Sequence, residues 1–239
     1  MPKIFDLFKA ATARPFEIKN KTATKAEIVL YAPIGESWFG DAVSAKSFSD
    51  ELKKLDPSVN EITVRINSPG GDVFDGIAIY NRLKQHKAKI IVQIDGLAAS
   101  IASIIALAGD EINMGEGALF MIHLPWTFTY GNRKELDMTI ERLIDIEEQL
   151  VSIYAKKTGL SRIEIKQMLE TETWMDADQA IEKGFVDTKS AESMPIAASV
   201  FDKSIWINKA PKNFNSDVKA AKESIEELKN KINGVLARK

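Results

Sequence analysis

Two short segments of this 239-residue sequence combine small residues with groups able to act on a carbonyl. In Gly96-Leu97-Ala98-Ala99-Ser100-Ile101-Ala102-Ser103, the small neighbours of Ser100 leave its hydroxyl accessible and let another backbone approach closely. A helix beginning there would also offer N–H groups and a positive dipole end to a developing negative charge. Taken alone, a serine in this place reads as an N-terminal helix residue rather than a nucleophile. In Ile66-Asn67-Ser68-Pro69-Gly70-Gly71-Asp72, paired glycines can turn the chain sharply and present bare N–H groups, a nest suited to an oxyanion or a phosphate. Neither G-x-x-x-x-G-K-S/T nor G-x-G-x-x-G is present, which weakens the phosphate reading, and by itself a Pro-Gly-Gly is most often a plain turn. The chain has two histidines and no cysteine. Disulfides, thiolate nucleophiles, iron–sulfur clusters and cysteine-containing zinc sites are therefore excluded, and the absence of H-E-x-x-H removes the metalloprotease zinc helix. His123, in Met121-Ile122-His123-Leu124-Pro125, has apolar neighbours, where an unpaired imidazole is costly; it is either satisfied structurally or paired for function. His86, in Lys84-Gln85-His86-Lys87 at a helix end, reads as solvated.

The elements that must position these residues are visible in the hydrophobic pattern. Three β-branched runs, 27–31, 61–66 and 89–95, read as strands. Helical spacing predicts helices over 42–55 and 73–86 between them, and the apolar stretch 98–109 reads as a buried helix, too short to span a bilayer. This alternation argues for an α/β fold with a largely parallel sheet. Residues 118–123 read as a further strand. Residues 134–157 form a long amphipathic helix ending at Gly159, of a length that suits projection from the domain and assembly. Two short helices follow at 161–169 and 177–183, the second closing at Gly184.

Composition divides the chain further. With 45% apolar and 28% charged residues and a net charge of −2, neither disorder nor a generic nucleic-acid binder fits the whole. The near-neutral total hides an asymmetry, because residues 195–239 carry nine Lys/Arg and five Asp/Glu, leaving −6 on the first 194. In that tail Val218, Ala221, Ile225, Leu228, Ile232 and Val235 recur at spacings of three and four, the pattern of a docked or partner-binding helix. The expected organisation is an N-terminal segment 1–24, a domain 25–190, and a linker with a basic helical tail 191–239. In the N-terminal segment the apolar cluster Ile4, Phe5, Leu7 and Phe8 is broken by Asp6, unlike a signal peptide, so a cytoplasmic protein is expected.

The spaced motifs together resemble the Clp protease proteolytic subunit family. They are Ser68-Pro69-Gly70-Gly71, the Gly96–Ser103 segment, Met121-Ile122-His123 with Pro125, and Trp174-Met175-Asp176-Ala177 followed by Ala180 and Gly184-Phe185-Val186-Asp187. Within that family the chain is similar to the phage ClpP-like prohead (capsid maturation) proteases. This second likeness rests on Ile34-Gly35-Glu36-Ser37-Trp38-Phe39-Gly40, Val43-Ser44-Ala45 and Glu172-Thr173-Trp174. The resemblance spans about residues 25–190 and omits the tail. It implies an α/β, ClpP/crotonase-like fold of repeated β-β-α units wound into a superhelix, with the long helix projecting.

The resemblance also implies a serine endopeptidase in which Ser100 is the nucleophile, His123 the general base, and the backbone N–H groups of Gly71 and Ile101 the oxyanion hole. Where the family usually carries an aspartate, two residues before the aromatic, this chain has Glu172. Glu172 is the expected orienting carboxylate, with Asp176 as the alternative. No cofactor or metal is expected. The implied partners are further copies in a ring, commonly heptameric and stacked in pairs through the long helix, and phage capsid, scaffold or portal proteins as substrates inside proheads in the host cytoplasm. Nucleic acid and membrane are not expected partners. The alternatives are a catalytically idle assembly or scaffolding protein on the same fold, and a cytosolic Clp-type peptidase working with an ATP-dependent unfoldase. Two other enzymes share the parent fold or chemistry. A crotonase-type acyl-CoA enzyme would need no Ser100/His123 pair, and a Ser–Lys peptidase would have to draw on Lys134, the first lysine after Ser100.

Overall fold

The computed structural model describes residues 16–36 and 42–190. The N-terminal apolar cluster, Ser37–Gly40 of the phage-type motif and the basic tail from residue 191 lie outside the described residues.

The three β-branched runs become the middle of a mixed sheet. Strand β1 (Phe16–Asn20) lies antiparallel to β2 (Lys25–Leu30), and β2 continues in parallel register through β3 (Glu61–Ser68) and β4 (Lys89–Ala99) to β5 (Glu111–Gly115) and β8 (Thr188–Ser190). The sheet thus begins before residue 25, inside the segment expected to precede the domain. Helices α1 (Ala45–Leu52), α2 (Val73–Lys84) and α3 (Ile101–Ala106) connect the parallel strands. Alternate residues Ile28 and Leu30, Ile62, Val64 and Ile66, and Val92 and Ile94 are fully buried and share one core with Phe48 of α1 and Ile79 and Leu83 of α2. That period of two is what a sheet with one covered face requires.

The decisive departure from a plain parallel sheet occurs at β4. Its first part pairs with β5 through Ile91–Ile94, whereas its last residues, Leu97, Ala98 and Ala99, pair in parallel with Leu119, Phe120 and Met121 of β6 (Leu119–Ile122). Small residues at 96–99 look helical by composition, but pairing with β6 keeps them extended. The helix expected over 98–109 is accordingly only Ile101–Ala106, and the strand-to-helix change falls on Ser100 itself. Strand β7 (Thr173–Met175) then adds antiparallel to β6.

After β6 comes α4 (Arg133–Thr158), 26 residues and about 39 Å long, opened by an Asn132–Glu135 capping box and closed by left-handed Gly159. Its C-terminal part is buried through Leu150, Val151 and Tyr154, whereas Leu136, Met138, Ile140 and Ile144 are 38–54% exposed. Helices α5 (Arg162–Glu170) and α6 (Ala177–Glu182) complete the described chain. Among the described residues, no helix is long and apolar enough to cross a membrane.

The face of the sheet opposite this core carries a largely buried polar group made of Tyr31, just past β2, Arg65 of β3 and Asp95 of β4. Arg65 Nε and Nη2 donate to the two Asp95 oxygens at 2.9 and 2.5 Å, and the Tyr31 hydroxyl donates to Asp95 Oδ2. Burial and the hydrogen bond to Asp95 push the Tyr31 phenol up to about 12. Burial also raises the Asp95 carboxyl against the opposing pull of Tyr31 and Arg65. The Arg65 and Asp95 side chains are 11% and 7% exposed, so neither charge can be solvated once its partner is gone. Asp95→Ala is expected to cost about 3 kcal/mol of unfolding free energy, read from urea denaturation.

Candidate active site

Ser100 occupies the single residue between β4 and α3, with φ 55° and ψ −129°. Such angles resemble the first central position of a type II′ turn, which glycine usually holds, and a serine there is strained. Its N–H donates to the Met121 carbonyl at 3.0 Å, extending the β4–β6 pairing by one step. His123 follows β6 directly. Because β4 and β6 run side by side in the same direction, both residues emerge at the same edge of the sheet, and His123 Nε2 lies 2.8 Å from Ser100 Oγ. Both side chains are half-buried. A hydroxyl in contact with an imidazole nitrogen, on a sharp strand-to-helix turn, is the arrangement of an activated nucleophile.

Glu172, the carboxylate expected beside them, immediately precedes β7. The antiparallel register pairs Phe120 with Met175, Met121 with Trp174, and Ile122 with Thr173, so His123 and Glu172 are the next residues of their two segments beyond the ladder. The Leu169 carbonyl accepts from both Leu124 N–H and Glu172 N–H at 3.2 Å, tying the two backbones together beside the histidine. Glu172 sits at φ 49°, and Trp174 Nε1 donates to its Oε1 at 3.3 Å. The alternative, Asp176, lies at the other end of β7. Its Oδ1 is engaged as the N-cap of α6, accepting from Gln179 N–H at 2.9 Å.

The glycine turn approaches Ser100 from the other side. A Cβ on Gly70 would fall 2.7 Å from Ser100 Cβ and 3.0 Å from Ile101 N, so only glycine admits this contact. The bridge between this turn and Ile34 uses the Gly70 carbonyl and the Asp72 N–H, which leaves the Gly71 N–H pointing to the opposite side. The Ile101 N–H is the first of α3 and has no acceptor within its helix. The two donors named from the sequence thus stand in adjoining turns around Ser100.

A cavity of about 760 Å³ is lined by Phe74 and Ile77 of α2, Phe128 in the loop after His123, and Leu143 and Ile146 of α4. The rest of its lining is polar, with Arg142, Asp145 and Gln149 of α4 among it. His86 is remote from this constellation. Contrary to the solvated reading, it is half-buried with Nδ1 accepting from Ala88 N–H at 3.1 Å, and burial, with Lys87 and Arg82, lowers its pKa.

Two residues contacting the nucleophile turn were not singled out from the sequence. Ser103 Oγ donates to the Ser100 carbonyl at 2.5 Å and lies 2.6 Å from the Tyr154 hydroxyl of α4. In the sequence Ser103 is one more small residue in an apolar run and Tyr154 one more apolar position of a helix; only the β4–α3 turn gives them a common target.

A strained serine in contact with a histidine at the end of a split parallel sheet is an arrangement that serine hydrolases use, and the comparisons with known proteins give the family. The Clp protease family model matches residues 11–191. The ATP-dependent Clp protease proteolytic subunit of Streptococcus pneumoniae strain 70585 is 30% identical over 178 residues, covering 73% of this chain and 89% of that protein. The subunit from strain Hungary19A-6 is 29% identical over the same length. The structure of a ClpP1 point mutant from Listeria monocytogenes matches with a TM-score of 0.57 at 26% identity, over 62% of this chain and 84% of that one. The chain belongs to the Clp protease family. Its α/β architecture is ClpP-like, and its activity is that of a ClpP-type serine peptidase subunit.

Proposed function

We propose that the chain is a serine endopeptidase acting through an acyl-enzyme on Ser100. The observation that carries this reading is the 2.8 Å contact between Ser100 Oγ and His123 Nε2. His123 Nε2 takes the hydroxyl proton as Oγ attacks the scissile carbonyl. Glu172, one residue beyond the β6–β7 ladder, holds the tautomer through its carboxylate and stabilises the imidazolium. The tetrahedral oxyanion accepts from the Gly71 and Ile101 N–H groups. On collapse, the imidazolium returns its proton to the leaving amine; water, deprotonated by His123, then releases the acyl group and restores Ser100.

The finer reading is capsid maturation: cleavage of phage capsid, scaffold or portal proteins within proheads in the host cytoplasm. It is supported by the phage-type sequence around Ile34–Ala45, by Glu172-Thr173-Trp174, and by a tail of net +4 suited to acidic protein surfaces. A second reading is favoured by the relatives, which are named as ATP-dependent subunits; under it, folded substrates are delivered by an ATP-driven unfoldase. Cleavage of the phage capsid or scaffold protein by the purified chain without ATP supports the first. Cleavage only with an unfoldase and ATP supports the second.

The exposed apolar residues of α4, with Trp126, Phe128 and Tyr130 72–87% exposed nearby, support assembly into a homo-oligomeric ring. The domain that assembles is taken as 25–190 extended N-terminally by β1, with 191–239 as an appended basic tail.

Ser100→Ala and His123→Ala are each expected to lower peptide hydrolysis by roughly four orders of magnitude or more without changing the fold, while His86→Ala leaves it intact. Undiminished cleavage by either site variant overturns the assignment. Glu172→Gln is expected to lower kcat on the order of 10³-fold. Asp176→Ala should instead cost about 1 kcal/mol of stability through its lost cap and leave kcat near wild type; the reverse pattern would make Asp176 the orienting carboxylate. Sedimentation velocity at near-neutral pH is expected to find a ring that Ile140→Lys with Ile144→Lys shifts to smaller species; a wild-type monomer would contradict the assembly.

A further inference from the structure

The Ser100 carbonyl and the Ile101 N–H belong to one peptide group, which is planar and trans, so they point in opposite directions. Whatever holds the carbonyl therefore aims the N–H. The Ser100 carbonyl accepts from Ser103 N–H at 3.0 Å and from Ser103 Oγ at 2.5 Å. A serine hydroxyl has one proton, and Ser103 spends it on that carbonyl, so the 2.6 Å contact to Tyr154 is a donation from the phenol to Ser103 Oγ. The result is a directed relay from Tyr154 through Ser103 to the Ser100 carbonyl.

Both hydroxyls are out of reach of water, with Ser103 fully buried and Tyr154 2% exposed. Burial pushes the Tyr154 phenol well above its ordinary range, so it stays a donor at working pH. The Tyr154 ring is placed by an edge contact to Phe185 at 5.8 Å, and Phe185 packs at 5.3 Å on Phe120 of β6, the strand that ends at His123. The relay thus starts from the same packed group that positions the histidine. It acts on a strained unit, because rotating the Ser100–Ile101 peptide would carry Ser100 from ψ −129° toward the ordinary left-handed region and swing the Ile101 N–H away from the glycine turn.

We propose that Ser103 and Tyr154 are positioning residues that lock the Ser100–Ile101 peptide plane in the orientation aiming the Ile101 N–H at the oxyanion. This rests on the serine-peptidase reading above. A lock of this kind favours the transition state over the bound substrate. Ser103→Ala is expected to lower kcat about tenfold with KM unchanged, and to weaken a peptide boronic acid, which forms a tetrahedral adduct on the nucleophile, by a similar factor. Tyr154→Phe keeps the ring packing and removes only the relay's first donor. A loss of about threefold in kcat is expected, and the double variant should be no worse than Ser103→Ala, because the two act in series. If Ser103→Ala fails to fold, Tyr154→Phe carries the test.

A merely structural role would lower the thermal midpoint while leaving kcat per folded site and the boronate affinity at wild-type values, and that outcome overturns the proposal. So does a rise in KM alone. The parent reading fails separately: if Ser100→Ala still hydrolyses peptide or still binds the boronate like wild type, Ser100 is not the nucleophile. If Ser100→Ala is dead and the relay variants match wild type, only the lock is wrong.

Discussion

A serine at φ 55° and ψ −129° is strained, and it persists only where bonds on both sides of it are already made. Here the N–H of Ser100 is held by Met121, its carbonyl by Ser103, and its Cβ is met by the Cβ-less Gly70. Those three contacts come from β6, α3 and the turn after β3, elements that the sheet brings together only because β4 exchanges partners from β5 to β6 along its own length. Without that exchange the chain would have no reason to turn at Ser100, and the hydroxyl would lie along a strand rather than at its edge.

The exchange also explains how distant residues converge. Strand β6 pairs in parallel with the end of β4 and antiparallel with β7, so His123 at its end stands beside Ser100, and Glu172 directly precedes the strand that pairs with it. Side-chain placement follows from the ladders, which are stiff, rather than from loops. In the proposed mechanism this stiffness provides preorganisation: the base, its carboxylate and the oxyanion donors are in place before substrate binds. The aromatic packing of Phe120, Phe185 and Tyr154 beneath the turn extends the same support to the long helix.

Much of this was legible in the residues. Strands β2, β3 and β4 are β-branched runs with clear borders, and α4 announces itself by amphipathic spacing and Gly159. Strands β1, β5, β7 and β8 escaped because they are three to five residues long and draw their stability from neighbours rather than from pattern. Ala98 and Ala99 fall in the stretch expected to be helical because alanine carries no strand signature; pairing with β6 decides their conformation. Ser100 and His123 could be named because they stand in spaced motifs. Glu172 was likewise named ahead of Asp176 from its motif position, and Asp176 caps α6. His86 sat in a polar stretch, yet a bond from the Ala88 backbone turns it inward.

The account stands on Ser100 being a nucleophile activated by His123. Intact-mass measurement after exposure to a fluorophosphonate at neutral pH, with peptide mapping of the adduct, tests this most directly. The account predicts one adduct per chain, on Ser100, formed at least a hundredfold more slowly in His123→Ala, roughly the loss expected when a general base is removed. An adduct on another residue, or unlabelled protein that still hydrolyses peptide, would contradict it.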